Sequence, residues 1–305
     1  MGGHGYSSFS GLGDFYLDSL PNVTWEGDNY ILSQQVARYL LKTARSLAGN
    51  STLPSAGVAT TITAQYLGEY LRMVRANVNK QPLLPLGSPS ELEDLNKLVS
   101  VFGRRSAYLV WRLLDRMDNH HQTWNDSLVA MCAISRAHSQ YIVLFNFVKA
   151  CQQLQSTATT PQQHAMSTVL ESLCCLFAVH TMERYLADFL EAGLVTAEQA
   201  PWIRQATLIQ LTTVRQDAIT LCDAWALPDY CLHSLLGRSD GQPYASLTAA
   251  AESEPINHLS PALGGYESVL KPLMNYERWR ETGQYSKLNQ YRVTSNPVIQ
   301  GLSKL

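Results

Sequence analysis

The sequence predicts an all-α protein, an elongated helix bundle with a loop-rich N-terminal edge, on three observations. Apolar residues recur at spacings of three and four through most of the 305 residues, which is the period of an amphipathic helix. Capping residues stand where those periodic stretches begin and end. No β-branched alternation bounded by turns interrupts them. With 46 % hydrophobic residues the chain has the material for a sizeable core.

Residues 1–25 are rich in Gly, Ser and aromatics, with Gly2, Gly3, Gly5, Gly11 and Gly13 near the start. They read as loop, with a short strand or a turn of helix around Phe15 to Leu20. Helical periodicity then begins with Ile31, Leu32, Gln35, Val36, Tyr39, Leu40 and Leu47. Asp28 or Asn29 is placed to cap that helix, and Gly49-Asn50 to end it. A shorter helix covers about 61–75, followed by a Pro-rich connector over 81–89. The next helix runs from about Ser90 to Met117, with Ser90 as its cap and Glu91 and Glu93 in the first turn. Leu128, Met131, Ile134, Ala137 and Tyr141 mark another over about 122–154. Thr160-Pro161 opens a helix that runs to about Ala192 and stops at Gly193. Thr196 starts one that reaches about Trp225, and Pro228 opens a short one to Leu236. Gly237 to Pro243 is a turn-rich loop.

Several function classes are disfavoured. The formal net charge is −2, without the basic stripe of a nucleic-acid binder. No apolar run reaches the roughly 18 residues of a membrane span. The six cysteines include no Cys-x-x-Cys pair, and no His stands at finger spacing, so they read as buried free thiols. His120-His121 has no ligand partner at metal spacing, and no metal is expected. Asp115 and Asp118 with Arg112 and Arg116 read as a solvated helix face. The last three residues, Ser303, Lys304 and Leu305, spell the peroxisomal import address, which a receptor reads at a free C-terminus.

Three segments carry a family resemblance. The first is Gly2-Gly3-His4-Gly5-Tyr6-Ser7. The second is Thr24-Trp25-Glu26-Gly27-Asp28-Asn29 with Ala37-Arg38-Tyr39-Leu40 behind it. The third is Val214-Arg215-Gln216-Asp217-Ala218, then Asp223-Ala224, then Leu236-Gly237-Arg238-Ser239-Asp240-Gly241-x-x-Tyr244. In order and spacing they resemble the last two-fifths of a peroxisomal acyl-CoA oxidase. The resemblance implies a flavin (FAD) cofactor, an acyl-CoA substrate and a peroxisomal location. It places the end of a flavin-contacting helical domain with the catalytic loop at 1–80, a C-terminal helical bundle at 81–245 and a terminal arm at 246–305. It also implies a homodimer or association with a chain bearing the flavin domains, because the family's N-terminal helical and β-barrel-like domains would precede the segment seen here. On that reading the chain is incomplete alone.

The implied reaction desaturates an acyl-CoA thioester and gives hydrogen peroxide. Its base must be a carboxylate in a dry pocket with a raised pKa. Glu26 matches the family's base by resemblance. Trp25 is placed to exclude water, and Gly27 permits close backbone approach. A helix N-terminus beside Glu26 favours the anion and so opposes a raised pKa. Read without the resemblance, Glu26 is a solvated acid at a helix start. The resemblance sets Gly2, Gly3 and His4 against the flavin, whereas by itself the loop is an ordinary turn. Asp28 and Asn29 are flavin contacts by analogy or plain caps. The Gly237–Tyr244 block reads as a structural loop. A non-catalytic dimerisation and import module is the alternative function. An acyl-CoA dehydrogenase is a third, disfavoured by the long helical region after residue 90 and by the terminal tripeptide.

Overall fold

The computed structural model describes residues 2–49, 62–76 and 87–254, with 270, 271, 274, 275, 278 and 281–283. Among the described residues there is no strand, and the chain is all-α. Helices α1 (Gly3–Tyr6), α2 (Leu12–Ser19), α3 (Asn29–Gly49), α4 (Gln65–Ala76), α5 (Leu95–Asp118) and α6 (Leu128–Thr157) lead the chain. They are followed by α7 (Pro161–Arg184), α8 (Leu186–Glu191), α9 (Ala200–Arg215), α10 (Ala218–Asp223), α11 (Asp229–Leu232) and α12 (Pro243–Ser253). Packing separates two compact units: Ser19–Ala226, and Met1–Asp18 with Leu227–Leu305.

In the larger unit α6 lies among α3, α5 and α7, and α9 packs on α7. Met131, Ile134, Leu144 and Val148 of α6 meet Leu98, Phe102, Val110 and Leu113 of α5 in one core. These are largely the positions that the three-and-four spacing selects. Helix α3 differs. Its buried stripe is Ala37, Leu40, Leu41, Ala44 and Leu47, whereas Ile31, Leu32, Gln35 and Tyr39 are exposed. The two alanines let the helix approach its neighbours closely, which rotates the buried face away from the larger residues. Helix α6 with its leading turn (Asn125–Thr157) and helix α7 are long and apolar enough, by composition alone, to cross a membrane. Apolarity on several sides is what a helix packed against several neighbours requires, and α6 has three such neighbours.

Several boundaries fall elsewhere than expected. Helix α5 begins at Leu95, not Ser90, because the Asp94 carboxylate accepts from the Asn96 and Lys97 N–H groups at 3.0 and 3.1 Å. Before it a 3₁₀ turn, Pro89–Leu92, holds Glu91 against Lys97 and the Gly87 N–H. Thr160 and Gln163 form a reciprocal capping box at the start of α7. The helix expected to reach Ala192 breaks at Tyr185 (φ −115°, ψ 30°), and Gly193 (φ +66°) ends the short α8. The helix expected to reach Trp225 breaks after Arg215. Near the N-terminus the expected loop contains α1 and α2. Cys151, Cys174 and Cys175 are buried, but Cys222 and Cys231 are exposed, which corrects the uniform reading of buried thiols. Burial pushes the Cys174 thiol up to about 12 and the Cys175 thiol to about 11, and the latter donates to the Leu92 carbonyl.

The break at Tyr185 has a structural consequence. It carries Asp188 to Arg105 of α5, whose side chain is 2 % exposed. Arg105 donates through Nε and Nη2 to Asp188 Oδ2 at 3.0 and 2.7 Å, and through Nη1 to Gln140 Oε1 of α6 at 2.7 Å. The Tyr185 and Phe189 rings lie 4.8 and 5.0 Å from the guanidinium carbon. On the surface Asp118 accepts from Arg45 of α3, and Arg112 pairs with Glu191. The expected solvated face of α5 therefore also ties helices together.

In the smaller unit the N-terminal segment pairs with the chain after α11. The Leu235 N–H donates to the Phe9 carbonyl at 2.9 Å. Gly11 has φ +70°, and a Cβ there would stand 2.6 Å from the His233 carbonyl oxygen. Only glycine meets both conditions.

Two measurements test this packing. Asp188→Ala strands a buried guanidinium and is expected to lower unfolding stability by about 3 kcal/mol, with Arg105→Met less harmful; urea titration of both variants checks the order. His138 accepts from or donates to the Tyr66 hydroxyl at 3.1 Å, and burial lowers its pKa below the ordinary 6.5. The unfolded chain then takes up this proton more readily than the fold does. Stability is thus expected to fall as pH drops below about 6.5, until the folded pKa is reached, and His138→Gln is expected to flatten that slope. Equal slopes for parent and variant would exclude His138 as the source.

Candidate functional site

Glu26 lies at the tip of a tight turn that leads into α3. The 3₁₀ segment Leu20–Val23 precedes it, and the Trp25 N–H donates back to the Pro21 carbonyl at 2.9 Å. The Gly27 N–H closes onto the Thr24 carbonyl at 3.0 Å. Gly27 has φ +121°, a conformation that side chains rarely adopt, so glycine is required by the turn itself. Glu26 is exposed, and among the described residues its carboxylate has no ion-pair partner. Trp25 is 73 % exposed. The shelter expected from Trp25 is absent, and the described residues build no dry pocket around the acid.

Asp28 is a cap. Its Oδ1 accepts from the Tyr30 and Ile31 N–H groups at 2.9 and 3.2 Å. Asn29 opens α3, and its carbonyl accepts from the Ser33 hydroxyl at 2.8 Å. Asn29 also lines a groove of about 460 Å³ between the first turns of α3 and the middle of α6.

Gly2, Gly3 and His4 lie in the smaller unit. Gly2 (φ +58°) precedes α1, and all three residues are exposed. A Cβ at Gly2 or Gly3 would meet nothing within 4 Å. Gly3 therefore owes nothing to packing within the described chain. The His4 ring stands edge-on to Tyr244 at 5.5 Å, which joins the first and third recognised segments. Within the third, Arg238 binds Asp240 at 2.6 Å, and Ser239 donates to Asp229. Among the described residues no three His, Cys, Asp or Glu side chains gather to hold a metal. Ser303, Lys304 and Leu305 lie outside the described residues. Sequence reasoning missed Arg105 and the groove beside Arg136.

Gly2, Gly3 and His4 in the smaller unit, and Asp28 and Asn29 in the larger, are each exposed.

An all-helical bundle with a glycine-opened N-terminal segment and a glutamate on the turn before a long helix defines the class. The family model "Acyl-CoA oxidase" matches residues 94–275, and "Acyl-CoA oxidase, C-alpha1 domain" matches residues 1–41. The chain is 30 % identical to peroxisomal acyl-coenzyme A oxidase 1 of Arabidopsis thaliana over 90 % of its own length and 39 % of that protein's. The crystal structure of an acyl-CoA oxidase from tomato superposes with a TM-score of 0.75 at 26 % identity, over 90 % of this chain and 39 % of that one. Acyl-CoA oxidase-1 of Caenorhabditis elegans, complexed with FAD and ATP, shares the fold with a TM-score of 0.71 at 23 % identity, over the same shares. The chain belongs to the acyl-CoA oxidase family, and it spans about two-fifths of the length of these relatives.

The two roles of Asp28 separate by stability. If it acts as a cap, Asp28→Ala is expected to cost about 1 kcal/mol, and Asp28→Asn little. Denaturant midpoints of the three proteins make the comparison; an unchanged midpoint for Asp28→Ala would remove the capping role.

Proposed function

We propose that the chain is the C-terminal portion of a flavin-dependent peroxisomal acyl-CoA oxidase, which converts acyl-CoA and O2 to trans-2-enoyl-CoA and H2O2. Glu26 is the base that removes the α proton of the thioester. The observation that carries this reading is the placement of Glu26 on a glycine-dependent turn inside the segment that the C-alpha1 family model covers. The first N–H groups of α3 are engaged by the neighbouring Asp28.

Bound FAD would accept the β hydride and pass electrons to oxygen. By resemblance to the family, Gly2, Gly3 and His4 of the smaller unit are assigned to the flavin, and so, separately, are Asp28 and Asn29 of the larger unit. A weakly acidic carbon acid needs a base in a dry site, and Glu26 is exposed here. Its cover is assigned to the rest of the family's length, in the same chain or in a partner bearing the flavin domains. In this scheme residues 1–80 carry the catalytic loop, 81–245 the bundle and 246–305 an arm ending in the address read by the import receptor. Homodimerisation is favoured by exposed apolar side chains along α9, where Leu208 is 59 % and Leu211 50 % exposed.

The alternative is a non-catalytic dimerisation and import module. What favours it is that every residue assigned to the site is exposed. The test is peroxide release with acyl-CoA, O2 and FAD in an assembly that supplies the remaining family domains. Glu26→Gln is expected to abolish desaturation while flavin absorbance is retained. Retained turnover would remove Glu26 from the mechanism, and a silent parent assembly would favour the module.

A further inference from the structure

A crevice of about 250 Å³ opens between α4 and α5, beside the middle of α6. Helix α4 lines it with Gln65, Glu69 and Met73, which recur every fourth residue and so share one side of the helix. Helix α5 adds Asn96, Ser100 and Arg104 at the same spacing. This lining is mixed: charges of both signs and neutral polar groups stand next to aromatic rings.

The rings form a row. Tyr66 and Tyr141 lie 4.8 Å apart between centroids, and Tyr141 and Phe145 lie 5.9 Å apart in a stacked arrangement. Tyr66 and His138 satisfy one another at 3.1 Å. A Cβ on Gly103 of α5 would stand 3.2 Å from both the Tyr141 ring and the Tyr66 Cβ. Glycine is a poor helix former, and here it gives the rings their room against α5.

The two charges face the same crevice without closing into a pair. Glu69 is exposed, and among the described residues no cation stands within ion-pair distance of it. Its charge still reaches two groups of the lining. Burial lowers the pKa of Arg104 and the Glu69 charge opposes that shift. Burial, and after it the Glu69 charge, push the Tyr141 hydroxyl up to about 12. Arg104 keeps its own charge whatever else it bonds to.

This combination selects a ligand class. A carboxylate beside aromatic rings suits an alkylated ammonium, which gains from ring faces as well as from the opposite charge. A guanidinium suits a carboxylate, to which it offers forked N–H donors. A bare cation is repelled by Arg104 and a bare anion by Glu69, whereas a molecule carrying both ends satisfies both. The volume lies below the range of drug-sized sites, so the ligand is small.

We propose that this crevice binds a small zwitterion, an alkylated ammonium joined by a short aliphatic spacer to a carboxylate. Glu69 and the rings of Tyr141 and Phe145 receive the ammonium, and Arg104 receives the carboxylate. The assignment goes beyond the role given to Glu26 and does not depend on it.

The test is calorimetric titration of the 305-residue chain with glycine betaine and its longer homologues. Tetramethylammonium serves as the cationic half alone, and tert-butylacetate as the analogue with carbon in place of the ammonium nitrogen. At least one betaine is expected to bind at millimolar concentration, more tightly than either control and more weakly as salt rises. Glu69→Gln and Arg104→Gln are each expected to lower its affinity about tenfold with unchanged circular dichroism. Phe145→Leu is expected to lower it about threefold, while Arg45→Gln leaves it intact. Glu69→Gln alters an exposed side chain, so its result stands even where Arg104→Gln folds poorly. Affinity undiminished in Glu69→Gln, or in a folded Arg104→Gln, would overturn the site. So would the absence of binding by every betaine of the series, or a tetramethylammonium affinity equal to theirs.

Discussion

The bundle is organised around one buried cation. Arg105 brings a permanent charge into the contact of α5, α6 and α8, and among the described residues only Asp188 pairs with it in charge. Burial lowers the pKa of Arg105, the Asp188 hydrogen bond and charge oppose that shift, and Arg136 adds to it. A guanidinium of such high intrinsic basicity stays charged, so its partners must be in place whenever the helices are packed. Asp188, Gln140 and the rings of Tyr185 and Phe189 therefore fix how three helices meet. A buried ion pair adds little net stability, whereas removing one partner of it is costly.

That pair also explains the break after α7. A continuous helix through residue 188 would keep Asp188 on the axis of α7. The turn at Tyr185 redirects the chain, seats Phe189 against Phe102 at 5.5 Å and presents the carboxylate to Arg105. The same turn places Tyr185 between Arg105 and Arg136, so the core charge and the charge at the α3–α6 groove meet at one ring. Neighbouring positive charges are tolerated because one is neutralised inside and the other faces water.

The helices were legible wherever capping chemistry was local. Thr160-Pro161 and Gly193 act through their own backbone neighbours and mark ends that the structure keeps. The start of α5 was misread because Ser90 and Asp94 both precede acceptable helix sequence, and only packing decides that Leu92 is buried in a 3₁₀ turn before the helix begins. The break at Tyr185 has neither Gly nor Pro to announce it, since its cause is a partner 83 residues away in sequence. Arg105 was illegible for a related reason: in a helix pattern an arginine reads as solvent-facing. The α3 stripe was shifted because Ala37 and Ala44 weigh little in a periodicity of large residues, yet they set the closest approach.

At the candidate site, local and non-local information separate in the same way. The turn at Glu26 follows from Gly27, and the cap from Asp28, so both could be read directly. Exposure depends on what covers the turn, which no neighbour in sequence encodes. An approaching helix start was expected to favour a charged Glu26 and so to work against its role as a base. In the structure it is Asp28, not Glu26, that accepts from the Tyr30 and Ile31 N–H groups. Gly27 is needed for the turn, and the carboxylate beside it has no ion-pair partner among the described residues; the role proposed for Glu26 as a base is what would give that carboxylate a function.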